Sequence, residues 1–214
     1  KNIVLKIRNE IKRTESKPKV LTYFEKGMTY SGSLVNITIN HDDLFDWEKG
    51  LMIYGESSSH DQGFQKDWWY RSANFASRGP EWGRPARFQY FWDNINGNGQ
   101  TDIRCEMKIS GNATRYFPQK SLKFKILDEQ GKPSKAPAFF SAPDGRPMES
   151  SSLLLRQGGN DNSRTLFADL FMHRLAENSE VAALEGSPLP VFINGNYWGI
   201  YNMRQRIDPL YIAE

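Results

Sequence analysis

RCEMKISGNATRYFPQKSLKFKIL, residues 104–127, is the stretch that decides the fold, because it holds two strand-like runs joined by a glycine-containing loop. Every second residue of each run is apolar, and the residues between them are mostly charged or polar. The apolar positions are Cys105, Met107, Ile109, Leu122, Phe124 and Ile126. Because successive side chains of a strand point to opposite faces, the pattern predicts a β-hairpin with one buried and one solvated face.

Lys120 has the same parity as the apolar residues of the second run, so its ammonium should point toward the buried side. A lysine is rarely buried without a partner. The preceding loop contributes Gly111, Asn112 and Arg115, and such a loop can direct N–H groups and two cations at phosphate oxygens. A hairpin whose lysine snorkels at the strand end explains the same residues. The residue pattern alone leaves both interpretations open.

The composition is that of a globular protein. The chain has 214 residues, enough for one large or two small domains, with 38% hydrophobic and 13% aromatic residues. A formal charge of +3 is too small to indicate nucleic-acid binding, and the single Cys105 excludes an internal disulfide. No apolar run is long enough to span a membrane. The chain starts at Lys1, which we interpret as a processing or cloning boundary.

The region upstream of the hairpin divides into a basic segment and a domain. Residues 1–19 are basic and weakly periodic, so we expect the end of a preceding domain or a linker there, with the main domain at 20–214. Alternation predicts strands at 33–40 and 84–92. The aromatic segment 56–84 between them either packs onto the core or offers a stacking surface for sugars or bases.

Downstream of the hairpin, the sequence predicts a strand at 152–156, a glycine-bearing loop at 157–163 and a helix at 164–177. Asn162 or Ser163 can cap the helix. Asp169 lies beside its apolar face. That face consists of Leu166, Phe167, Leu170, Phe171 and Leu175.

A second hairpin is predicted at 189–203, because Asn194-Gly195 favours a type I′ turn. The resulting order of elements is that of a kinase small lobe, in which a lysine pairs with a helix acid and both orient nucleotide phosphates. It predicts an α+β fold: a mainly antiparallel sheet with one principal helix, resembling the small lobe of an atypical protein kinase with N-terminal elaboration. By this order, Asp169 is the expected partner of Lys120.

Three stretches resemble the spore coat protein H (CotH) kinase family. SGNATRYFPQKSLKFKI resembles its glycine–asparagine, arginine and Pro-x-Lys-Ser signature, and LLLRQGGNDNSRTLFADLF its Arg–Gly–Asn–Asp stretch and helix aspartate. PVFINGNYWGIYNMRQRID resembles its Asn-Gly-x-Tyr-x-Gly-x-Tyr hairpin. Upstream stretches are similar to the N-terminal part of large secreted or lipoprotein members from Bacteroidetes-type bacteria. The resemblance covers about 20–214.

This resemblance implies an atypical protein kinase that binds ATP with Mg²⁺ or Mn²⁺ and phosphorylates secreted or coat proteins. It therefore implies an extracytoplasmic location, secreted or anchored to the cell envelope, and a protein substrate. Lys120 and Asp169 would be catalytic, and no residue is assigned as a metal ligand. The cofactor-binding residues implied by position are Gly111, Asn112, Arg115, Lys120, Arg156, Asn160, Asp161 and Gln205.

The sequence departs from the family pattern at two positions. Ser110 stands where the family often has Arg or His, and Gln205 stands where it usually has Glu. The family's catalytic and metal-binding aspartates lie C-terminal to Glu214, so we expect this chain to be an inactive fragment of such a kinase. The alternative is a non-catalytic cell-envelope module that binds protein or glycan, the latter through the region of Trp68 and Trp82.

Overall fold

The computed structural model describes residues 7–14, 17–24, 32–60, 71–94, 97–141, 147–177, 179 and 183–204. Strands dominate this part of the chain. They are β1 (Ile7–Thr14), β2 (Lys17–Phe24), β3 (Gly32–Ile39), β4 (Arg84–Asn94), β5 (Gly97–Ser110), β6 (Ser121–Ile126), β7 (Ala136–Ser141), β8 (Pro147–Ser150), β9 (Ser152–Arg156), β10 (Gly186–Ile193) and β11 (Asn196–Arg204). The α-helices are α1 (His41–Phe45) and α2 (Ala168–Ala176). Within the described ranges, neither helix is long and apolar enough to cross a membrane.

Seven strands close into a barrel in the order β10-β11-β9-β6-β5-β4-β3, and β3 returns to β10. All neighbours are antiparallel except β3 and β10. The predicted α+β fold, with the sheet and principal helix of a kinase small lobe, is therefore wrong. Alternation identifies strands and their faces, but no local signal indicates that β3 pairs with a strand about 150 residues later.

Apolar side chains from alternate positions of the seven strands fill the barrel. The predicted hairpin is confirmed as β5 and β6, with Cys105 opposite Ile126. The same inward row continues across β6 and β9, where Phe124 lies opposite Leu153. Burying these side chains is the main favourable term in folding. The fully buried side chains of the barrel strands include Ile37, Phe88, Met107, Leu122, Phe124, Leu153 and Tyr201.

The turn between β10 and β11 closes the barrel. Asn194 and Gly195 have φ values of 51° and 81°, as the predicted type I′ turn requires. The Asn194 amide accepts a hydrogen bond from the Ile39 N–H (2.9 Å) and donates one to the Ile39 carbonyl (2.8 Å). Its backbone N–H donates to the Ile37 carbonyl (2.8 Å), and the Gly195 N–H donates to the Asn36 side chain (3.1 Å). One turn therefore ties β10 to β3 by four hydrogen bonds.

The main helix is shorter than predicted. It begins at Ala168 rather than at residue 164, because Leu166 has a φ of 68° and ends any helical path before it. Of the predicted apolar face, Leu170 is buried and Leu166 is partly buried. The other large apolar residues of the helix region are half-exposed or more: Phe167 (50%), Phe171 (57%) and Leu175 (61%).

Replacing Asn194 with glycine should separate its hydrogen bonds from its backbone conformation. Glycine tolerates the positive φ, so Asn194→Gly removes only the two amide hydrogen bonds to Ile39. We expect the free energy of unfolding to fall by about 1–3 kcal/mol in denaturant titrations. Asn196→Gly, at an exposed position of the same hairpin, is the control and should cost less. Equal losses in the two variants would contradict a closing role for the Asn194 amide.

Candidate functional site

A buried arginine fixes the loop between β5 and β6. The Arg115 guanidinium donates through Nε to the Gly111 carbonyl (2.7 Å) and through Nη1 to the carbonyls of Phe75 and Ser77 (3.0 Å each). Burial, with a smaller effect of the Arg78 charge, lowers the pKa of Arg115 to about 10. Backbone carbonyls therefore hold this cation and tie the loop to the segment at residues 75–77.

Lys120, immediately before β6, is 5% exposed, which confirms its predicted inward orientation. Its Nζ donates to the carbonyls of Arg115 (2.8 Å) and Phe117 (3.1 Å) and lies 3.9 Å from the centroid of the Phe75 ring. Burial lowers the pKa of Lys120 to about 8. In the described part of the chain, no ion pair joins it to Asp169. These contacts lock the loop, while a role in phosphate binding stays a prediction.

Asp169 on α2 is instead shared by two arginines. Its Oδ2 lies 3.0 Å from Nε of Arg156, at the end of β9, and accepts a hydrogen bond from Nη1 of Arg204, at the end of β11. His173, one turn further along the helix, accepts the Leu184 N–H at Nδ1 (3.1 Å), so its Nε2 faces Asp169 at 3.9 Å. One carboxylate therefore serves two guanidinium groups.

This cluster contains buried donors that have no partner. Arg204 is 5% exposed, and its Nε and Nη2 lack hydrogen-bond partners, as does Nε2 of the buried Gln157. Burial lowers the pKa of Arg204, and the neighbouring Asp169 opposes this effect. Buried polar groups without partners are uncommon in folded proteins, so these donors are available to an acceptor that enters the cluster.

A glycine pair after β9 lets the cluster form and links it to Lys120. Gly158 and Gly159 have φ values of 97° and 63°. A Cβ on Gly159 would lie 2.7 Å from Nη2 of Arg156, so a side chain there would displace that guanidinium, and the positive φ also favours glycine. Gln157 accepts from the Gly159 N–H (3.2 Å) and from the hydroxyl of Ser121, the residue after Lys120. The arginine cluster and the locked loop are therefore neighbours.

Asp161 supports the helix that carries Asp169. Its carboxylate accepts hydrogen bonds from the N–H of Ala168 (3.0 Å), the first residue of α2, and from the N–H and hydroxyl of Thr165. The Thr165 hydroxyl and the Ala168 N–H lower the pKa of Asp161. The predicted caps Asn162 and Ser163 are thus wrong, and Asn160 is exposed.

The outer face of β5, β6, β9 and β11 forms a wall between the loop that Arg115 and Lys120 hold and the arginine cluster. Lys108 lies opposite Lys123, Lys123 opposite Leu154, and Leu154 opposite Arg204. The wall therefore has cations at both sides of a half-buried leucine. The sequence did not single out Arg204 as a site residue. Parity could have identified it: successive side chains of a strand point to opposite faces, and Met203 points into the barrel, so Arg204 faces outward.

Several predicted residues do not join this site. Gln205 lies outside the described residues, as does Trp68. Trp82 packs against the core, with the Arg84 guanidinium 5.4 Å from its ring centroid. Asn112 is exposed and accepts a hydrogen bond from Arg78 (2.9 Å). Among the residues that the structure describes, no three His, Cys, Asp or Glu side chains come together as a metal site.

Comparison with known protein families gives a match. The model of the CotH kinase protein family matches residues 107–214, which is just over half of the chain. The matched part contains the locked loop, the arginine cluster and α2. No protein of curated function matches the chain.

Burial of Lys120 should make stability depend on pH. Its pKa of about 8 in the folded chain lies below the ordinary value of 10.5, so the unfolded chain binds more protons between these values. The Lys120 contribution to the free energy of unfolding should therefore rise from pH 8 to pH 10.5, by no more than about 3 kcal/mol. The difference in stability between wild type and Lys120→Met, from denaturant titrations, measures it. Lys125→Met, which removes an exposed lysine of β6, should show no such trend.

Asp161→Ala should lower the melting temperature at pH 7, because α2 loses the acceptor for its first N–H. The folded-state pKa of Asp161 is depressed, so its contribution is present above the ordinary value of 3.8 and lost as the pH falls through the folded value. Thermal unfolding followed by circular dichroism at decreasing pH should show the two proteins converging. Asn160→Ala is the exposed control, and an equal shift in that variant would argue against the capping role.

Proposed function

Since the chain belongs to the CotH kinase protein family, we propose that it binds ATP through the arginine cluster, as part of an ATP-dependent protein kinase. The observation that carries this proposal is the sharing of Asp169 by Arg156 and Arg204, with donors of Arg204 left over. The Arg156–Asp169 pair joins a strand end to a helix, as the lysine–glutamate pair of protein kinases does.

The donor set fits a phosphate group. Phosphate oxygens are bound best by charged donors in a planar fork, which guanidinium groups supply. Nε and Nη2 of Arg204 and Nε2 of Gln157 need acceptors, and the side chain of Arg156 is 37% exposed, which opens the cluster to solvent. One carboxylate cannot neutralise both arginines, so the cluster keeps positive charge. ATP with Mg²⁺ or Mn²⁺ would supply the transferable phosphoryl group and the cation that screens its charge.

Each neighbouring residue then has a defined task. Arg156 and Arg204 bind phosphate oxygens, and Asp169 keeps their guanidinium groups oriented. Gly159 allows Arg156 its position. The loop held by Lys120 supplies the predicted contacts with phosphate oxygens from its exposed backbone. The lysine therefore acts by holding the loop.

The acceptor is proposed from the family resemblance. It would be a secreted or envelope protein, and the kinase would act outside the cytoplasm. The proposal is tested on nucleotide binding. A glycan-binding module remains a prediction from the sequence, because Trp68 lies outside the described residues.

Arg156→Met and Arg204→Met should each weaken binding of ATP with Mg²⁺ by at least about tenfold, since a hydrogen bond to a charged group contributes about 1.5–3 kcal/mol. Isothermal titration calorimetry on the 214-residue chain measures this. Arg156→Lys keeps the charge without the fork and should fall between wild type and Arg156→Met. Arg87→Met is the matched control, because Arg87 lies on β4 and pairs with Asp102 (2.8 Å).

Unchanged affinity in both methionine variants, with melting temperatures near that of the wild type, would refute binding at this cluster. So would an equal loss of affinity in Arg87→Met. Repeating the titration with Mn²⁺ tests the second cation.

A further inference from the structure

Two grooves flank the hydrogen bond between Arg78 and Asn112. The first has a volume of about 530 Å³, and Trp82 and Lys108 line it. The second has a volume of about 480 Å³, and Arg71 and Tyr116 line it. Arg78 lines both grooves, so they form one track along the outside of the loop between β5 and β6.

Two of the cations along the track, Arg71 and Arg78, are not balanced by carboxylates among the described residues. Arg78 has a neutral partner, the Asn112 amide, and in the described ranges neither Arg78 nor Arg71 forms an ion pair with a carboxylate. Lys108 pairs with Glu106 (3.1 Å) and donates to the Gly79 carbonyl (3.1 Å). Among the described residues no Asp or Glu belongs to the lining of either groove, although the Glu81 carboxylate lies against Gly79 at the edge of the first. An anionic ligand would thus meet two cations without carboxylate partners, Arg71 and Arg78, and a third, Lys108, that it would share with Glu106.

We propose that this track binds an extended acidic segment of a partner polypeptide. Both volumes are within the range of ligand sites, and the charges are spread along the track rather than gathered at one point. A compact anion would fill one groove only, whereas a peptide can place carboxylates at Arg71, Arg78 and Lys108 in turn. Guanidinium groups bind carboxylates in a two-pronged geometry.

The track also has apolar surface for the same ligand. Trp82 and Tyr116 are partly buried and each lines one groove, so the peptide can place an apolar side chain on either ring. Neither Arg156 nor Arg204 lines the track, so this site is separate from the arginine cluster and does not depend on nucleotide binding.

The test is fluorescence anisotropy with a dye-labelled octapeptide of alternating Glu and Ser, which spans about 26 Å when extended. The 214-residue chain is titrated without nucleotide. We expect binding that weakens as salt is raised, because exposed charges are screened. The matching peptide of Gln and Ser should bind at least tenfold more weakly.

Arg78→Gln should weaken binding of the Glu peptide by at least tenfold, and Arg71→Gln or Lys108→Gln should have smaller effects, because each affects one groove. Arg104→Gln is the matched control, since Arg104 is exposed on β5 outside both grooves and should change affinity less than twofold. Arg156→Met should leave peptide affinity unchanged, which separates this proposal from nucleotide binding.

Three results would overturn the proposal. The first is equal binding of the Gln and Glu peptides. The second is an equal loss in Arg104→Gln and Arg78→Gln, at unchanged melting temperatures. The third is tighter binding of a single-stranded oligonucleotide or sulfated polysaccharide of the same charge.

Discussion

The pairing of β10 with β3, which closes the barrel, is the constraint on which the rest of the structure depends. Without it, β10 and β3 would be two sheet edges, and edges expose unpaired N–H and carbonyl groups. The Asn194 side chain supports this pairing, because it forms hydrogen bonds with both the N–H and the carbonyl of Ile39. The positive φ of Asn194 lets the turn reach them. Closure fills the interior with apolar side chains, so every charged residue of the barrel strands must lie on the outer face or at a strand end.

The residues of the arginine cluster lie on the outer face of the barrel. Arg156 and Arg204 end adjacent strands on the same side of the barrel, and α2 lies against them through Asp169. The helix itself contributes little burial, since Leu170 is its only buried residue in the described part of the chain. Its position therefore depends on the Asp169 ion pairs and on the Asp161 carboxylate at its start. A site built in this way is sensitive to charge, because the same residues hold the helix and supply the donors.

Local patterns predicted much of this architecture and none of its closure. Alternation located both hairpins, and parity showed that Lys120 points inward. The Asn-Gly pair located the turn, but not the amide that binds Ile39, because that contact joins residues 155 positions apart. The start of α2 was missed because Leu166 adopts a left-handed conformation that its type rarely takes. The partners of Asp169 could not be predicted, since Arg204 reaches it only after β9 and β11 have paired in the barrel.

The two kinds of buried cation in the described part of this protein explain why we propose phosphate binding at one cluster and a structural task for the other. Lys120 and Arg115 direct their donors at backbone carbonyls, so a phosphate near them would gain the field of the charge but few hydrogen bonds. Arg204 has one occupied donor and two unpaired nitrogens beside a carboxylate that a second arginine shares. Since charged hydrogen bonds are worth more than exposed charge alone, an anion gains most where donors are unpaired. The loop cations hold a surface in place, and the arginines at the strand ends are left to bind.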